Sequence, residues 1–213
     1  MKNLILLIAT LILTVCGTTS NIRRPNKTAN LPDFREYNHI IVNDFTDGAS
    51  KSSDDPHIIA EGKRFADIIA SSIKLKNLYA RVERNIDSSD SALLIDSKIT
   101  KCSEGNAFMR TLVGFGAGSS LFDAHISIKD NKTKQLLGEI DASKMSWALG
   151  GVIAGIQDVN SHMHSAASKI ADECNKAKTR NNKKEKKLSS AIPDTNPLQG
   201  VDVQALDTKT VEN

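Results

Sequence analysis

Alternation is cleanest in "SSLFDAHISIKD", where Phe122, Ala124, Ile126 and Ile128 fall on one side of an extended chain and Leu121, Asp123, His125, Ser127 and Lys129 on the other. A two-residue period of this kind predicts a half-buried strand with its apolar set inward. "DNKTK" then carries turn chemistry, and "QLLGEIDASKMSW" predicts the return strand over about 135–147. "SALLIDSKITKCSEG" predicts a strand over about 92–103, with Leu93, Ile95, Ser97 and Ile99 on one face and Leu94, Asp96, Lys98, Thr100 and Cys102 on the other. Two shorter strands are expected at about 38–45 in "YNHIIVNDF" and 78–85 in "LYARVERNI".

The period changes in "DPHIIAEGKRFADIIASSIKLKN". Ile58, Ile59, Phe65, Ile69 and Ile73 fall near one face at helical spacing, which predicts a helix over about 56–76. Asp55 can cap it and Pro56 suits its first position. Gly62 inside it costs about 1 kcal/mol relative to Ala. A second helix is expected over about 157–178, with Val159, Met163, Ala166, Ala167, Ile170 and Cys174 as its apolar stripe. The order strand, helix, four strands, helix defines an α+β class. The expected architecture is a mostly antiparallel sheet with two helices packed on one face, a right-handed crossover around the first helix, and meander pairing of the later strands.

The ends of the 213-residue chain read differently. "MKNLILLIATLILTVC" places one Lys before an apolar run, the pattern of an export signal over residues 1–15. The run is too short to span a bilayer, which needs about 20 apolar residues. Leu13-Thr14-Val15-Cys16 resembles the bacterial lipoprotein processing box, with Val15 where a smaller residue is usual. That resemblance makes Cys16 the lipidated N-terminus of the mature chain, and Gly17 after it favours the outer membrane. Residues 16–34 are then a flexible lipidated tether, 35–177 the α+β domain and 178–213, with "RNNKKEKK", a disordered tail. Aromatic residues make up only 4% of the chain, so Ile, Leu, Val and Ala must fill the core. A net charge of +3 does not call for nucleic acid, and "KKEKK" lacks the interleaved aromatics of single-strand stacking.

"GNAFMRTLVGFGAGSS" invites a phosphate-loop reading through Gly114, Gly116 and Gly118. The spacing fails it. A dinucleotide fingerprint needs a third glycine three positions on and a following helix, whereas Ser119 and then a strand follow here. The glycines instead suit backbone that must turn or approach another chain closely. Arg110, Gly114, Phe115, Gly116 and Gly118 are therefore a candidate contact loop, with Met109, Leu112 and Val113 adding apolar surface. The loop either tucks under the sheet or meets a partner or membrane.

The span from "LLIDSKITKCSEGN" through "GFGAGSSLFDAHISIKDNKTKQLL" resembles the family called domain of unknown function 4410, a group of bacterial lipoproteins. The resemblance would cover about residues 35–177. It implies an envelope lipoprotein with a domain like those of curli-export-type lipoproteins. It implies no catalytic activity and assigns no functional residue.

Chemistry elsewhere is thin. His162 and His164 would face apart on a helix, which suits a surface pair and not a shared metal. Asp123, His125 and Ser127 alternate along one strand and do not make a nucleophile, base and orienter in line. Asp44 and Asp47 suit turn chemistry better than acid–base work. Cys102 and Cys174 are candidates for a disulfide in an oxidising compartment, with two buried free thiols as the alternative. No cofactor or metal is expected. The sequence reads as a non-enzymatic cell-envelope lipoprotein in the periplasm, an adaptor or accessory subunit with a protein partner or self-association. The alternative is a periplasmic carrier of a small apolar or lipid ligand.

Overall fold

In the computed structural model, residues 18–26, 32–49, 55–113, 117–146 and 156–180 are described. Six strands form one sheet: β1 (His39–Val42), β2 (Thr46–Asp47), β3 (Arg81–Arg84), β4 (Leu93–Ser103), β5 (Leu121–Asp130) and β6 (Leu136–Met145). Three helices accompany them: α1 (Pro56–Leu75), α2 (Ala107–Leu112) and α3 (Val159–Thr179).

The strand order is β3-β1-β4-β5-β6, with β2 continuing beside β4. The two long pairings, β4 with β5 and β5 with β6, are antiparallel. The short strands join in parallel, β1 lying between β3 and β4. The class is thus the expected α+β, and the expected strand–helix–strand unit is β1-α1-β3. The meander is confined to β4-β5-β6.

α1 and α3 cover one face and run side by side in the same direction, since Arg64 midway along α1 bonds Asn160 at the start of α3 and Lys76 at the end of α1 pairs with Asp172 further along α3. Both helices are capped as their sequences require. Asp55 accepts from His57 N at 2.8 Å with Pro56 in the first turn of α1. Asp158 and Ser161 form a capping box on α3.

Between helices and sheet, Phe45, Phe65 and Phe122 stack edge to face, with ring centroids 5.2 and 4.8 Å apart. Ile40, Ile95, Ile126, Ile140 and Ile170 close around them, all fully buried. Gly62 belongs here for a steric reason: a Cβ would sit 2.4 Å from the Phe45 carbonyl oxygen, so the missing side chain lets α1 settle on the strand layer. The opposite face is largely polar among the described residues, with Lys129 on Asp96 and Lys101 on Asp123, and carries a small buried apolar cluster of Ile41, Ala92 and Leu94.

The β4–β5 register slips between Ile99 and Lys101, which brings Cys102 opposite Phe122 on the core side and not beside Leu94 as strict alternation predicts. Residues 18–26, the described part of the expected tether, run along β6. Thr19 bridges Ala142 and Arg23 bridges Glu139, both antiparallel. The expected tail beyond Arg180 lies outside the described residues.

Candidate functional site

β4 and β5 are joined by an excursion that opens and closes at two glycines. Gly105 and Gly118 both adopt left-handed backbone, φ 63° and 67°. They cross at close quarters. A Cβ on Gly105 would lie 2.3 Å from the Gly118 carbonyl oxygen, and one on Gly118 would lie 2.5 Å from that of Asn106. Asn106 N donates to Gly118 O at 2.8 Å and closes the neck. The glycine demand is therefore a backbone crossing, and it binds Gly118 from the expected contact loop together with Gly105, which the alternating pattern does not mark.

Beyond the neck the chain makes α2. Asn106 caps it, its side-chain oxygen accepting from Met109 N at 3.1 Å. Six residues are too few for an isolated helix, so the cap and the neck must hold it. Phe108 with Leu112 and Met109 with Val113 are two i, i+4 pairs and lie side by side. All four are exposed, Phe108 at 68% and Leu112 at 65%. Met109 leans back over Gly118. The loop does not tuck under the sheet through these side chains; they face outward. Gly114, Phe115 and Gly116 and the side chain of Arg110 lie outside the described residues, as does Cys16.

A buried hydrogen-bond cluster pins this excursion to α3. Ser120 N donates to Ser146 Oγ at 3.1 Å, and Ser120 Oγ donates to the Gln157 carbonyl at 2.6 Å. That leaves the hydroxyl as acceptor for His162 Nε2, 2.9 Å away. A Ser and a His in contact suggest hydrolysis, but here the imidazole nitrogen donates to the hydroxyl and cannot take its proton. Burial and the nearby Lys144 charge push the His162 pKa below 6.5, against the opposing pull of Asp158. Val159 N also donates to Glu104, which ties the start of α3 to the end of β4. The sequence missed this cluster; His162 is buried where a surface pair was expected, while His164 is exposed. Ile156, 71% exposed, precedes the cluster and adds apolar surface at the same end of the strands.

The remaining candidates are placed apart. His125 bonds Asp141 at 2.8 Å and faces Glu139 at 3.3 Å on β6, while Asp123 pairs with Lys101. Asp44 holds Arg84 at 2.6 Å and Asn85; burial would raise its pKa, but those two partners bring it below the usual value. Asp47 accepts from the Ala49 and Asp55 amides, the expected turn role.

The expected disulfide is not formed: Cys102 and Cys174 are free. Cys102 stands near Glu61 and Asp55 at the start of α1, whereas the Cys174 carbonyl receives Tyr79 Oη beyond the end of α1. The 20 residues of α1 span about 30 Å, far beyond disulfide reach. Burial pushes the Cys102 thiol up to about 11 and the Cys174 thiol up to about 12. Among the described residues, no group of three or more His, Cys, Asp and Glu is placed to hold a metal ion, and no helix is long and apolar enough to cross a membrane.

The described residues thus form a mixed sheet with two helices on one face and an apolar excursion at one end. The profile described as Domain of unknown function (DUF4410) matches residues 33–150, and the chain belongs to that family. No curated protein matches the sequence. The fold is similar to that of PelC from Paraburkholderia phytofirmans, a dodecamer in two crystal forms, with TM-score 0.51 and 10% identity over 74% of this chain. That comparison spans 97% of the PelC chain in one crystal form and 96% in the other. A putative neuraminyllactose-binding hemagglutinin homolog from Helicobacter pylori is more distant, with TM-score 0.39 and 11% identity over 81% of this chain and all of its own.

Proposed function

We propose that the protein is a cell-envelope lipoprotein, anchored through lipid on Cys16 and delivered to the outer membrane, with its domain in the periplasm. It acts without catalysis, as an adaptor or accessory subunit of an envelope assembly, with self-association as one form of that assembly. One observation carries the reading: the apolar surface of Phe108, Met109, Leu112 and Val113 is held outward on a stalk built for the purpose. An exposed apolar surface of this kind needs an occupant. The Leu13–Cys16 box supports the anchor, and two or more acyl chains would hold the protein stably. The dodecameric state of PelC supports self-association as a way of working for this fold. The carrier alternative has less support, because the three stacked phenylalanines fill the space between sheet and helices that it would use.

The test is palmitate labelling and intact mass of the mature chain beside Cys16→Ser. The expected result is acylation that disappears with Cys16. An unmodified chain cleaved elsewhere would overturn the anchor. Light scattering in detergent tests the second half, where a defined oligomer or a stoichiometric partner is expected and a solitary monomer counts against it.

A further inference from the structure

The route by which the chain enters the domain fixes which end of the domain lies next to the anchor. Ser143 N donates to Thr18 O at 2.9 Å, Ser20 N to Asp141 O at 2.8 Å and Arg23 N to Glu139 O at 2.8 Å. The segment is antiparallel to β6. Its described start, Thr18, therefore lies toward the Met145 end of β6. Met145 is registered with Leu121, and Leu121 with Ser103. Those residues flank the glycine neck. Thr18 lies two positions after Cys16, at most about 7 Å of chain. Three strand spacings, about 14 Å, separate the docked segment from β4. Thr18 and the stalk of α2 thus belong to one end of the sheet, and chain length keeps Cys16 within reach of that end. The hairpin turn at Lys134 and the last residues of α3 belong to the other, since Tyr37 reaches Asp130 and Lys178 reaches Tyr37 there.

From this juxtaposition we propose that α2 is a membrane-resting foot. The side chains of Phe108, Leu112, Val113 and Ile156 lie in the headgroup layer of the bilayer to which Cys16 is attached, and the strands stand on end above it. The inference rests on the lipid-anchor reading and names the occupant of its contact surface. A bilayer fits better than a second protein for a geometric reason: an anchor two residues from the docked edge holds this end against lipid, so side chains projecting beyond the neck meet lipid first. Aromatic and aliphatic side chains are the kind that settle at that depth. A docked N-terminal segment and an apolar foot also give two separated points of contact, which orient a domain where a single flexible tether cannot.

The test uses the full chain with Leu112→Cys or Lys134→Cys, each labelled with an environment-sensitive nitrobenzoxadiazole fluorophore. The unsubstituted chain, with its inward-facing Cys102 and Cys174, is the labelling control. The labelled proteins are bound to vesicles of phosphatidylethanolamine and phosphatidylglycerol with and without doxyl lipids, and intact mass reports Cys16 acylation on the same samples. Emission from position 112 is expected to shift blue and to be quenched several-fold more than emission from position 134. Equal, weak quenching at both positions on an acylated chain would overturn the foot and leave the anchor standing. A concentration-dependent blue shift at position 112 without vesicles would also overturn it, in favour of a second copy as the occupant. Selective quenching at position 112 on an unacylated chain would support the foot and sink the anchor. Phe108→Cys repeats the measurement should Leu112→Cys misfold.

Discussion

The two ends of the sheet are built from different residues and do opposite things. At the Lys134 end, Asp130 gathers the chain inward. Its carboxylate accepts from Thr133 N at 2.6 Å, Thr133 Oγ1 at 2.8 Å and Tyr37 Oη at 2.7 Å. Asn131 adds bonds to the Ser88 and Asp90 carbonyls. At the neck end, Gly105, Gly118 and the Ser120–His162 cluster hold a bulky apolar excursion out. One end satisfies its polar groups to close a turn. The other satisfies them to keep apolar side chains exposed, and the proposed contact role rests on that asymmetry.

The largest effect comes from the core on which both ends depend. Phe65→Ala removes the central ring of the stack and is expected to cost about 3–5 kcal/mol, read by chemical denaturation. Asp130→Ala unties the closed end alone. It should cost about 1.5–3 kcal/mol, the range for hydrogen bonds to a charged group. Burial alone would raise the Asp130 pKa, but Thr133 and Tyr37 hold it below 3.8, so this contribution is present above that value and fades as pH falls below it. Gly118→Ala strikes the neck with a side chain at φ 67°. It should cost about 1–3 kcal/mol and raise hydrogen exchange in α2 while leaving the Asp130 turn protected.

A smaller effect separates the two ends by pH. The folded pKa of His162 lies below 6.5, so the unfolded chain takes the proton first. Stability from this group is complete above 6.5 and declines as pH falls from there toward the folded value. His162→Gln is expected to flatten that part of the stability–pH curve, measured by thermal unfolding at fixed ionic strength. Smallest of all, Leu112→Ser should change stability by no more than about 0.5 kcal/mol, because the side chain is already in solvent.

Local periodicity revealed what is local. Phe122 to Ile128 alternate as expected over β5, and α1 runs from Pro56 as its cap and proline require. The bulge after Ile99 is not a periodic feature, so the face of Cys102 could not be read from alternation. The six residues of α2 are too short for a helical period to register against the glycines that follow. Docking of Thr18 to Arg23 on β6 is invisible for another reason. Its hydrogen bonds are made by backbone to a strand more than a hundred residues away, and the polar side chains of that segment read as linker. Gly118 was legible as a backbone requirement, but its partner in the crossing, Gly105, was not, because nothing in the spacing pairs them.

The most direct measurement of the central claim is amide hydrogen exchange of the acylated chain, free in detergent and bound to vesicles. The account predicts added protection across Ala107–Val113 on the bilayer and no change across Asp130–Gln135. Protection at the Asp130 turn with α2 left open would contradict it, because the domain would then meet the membrane by its other end.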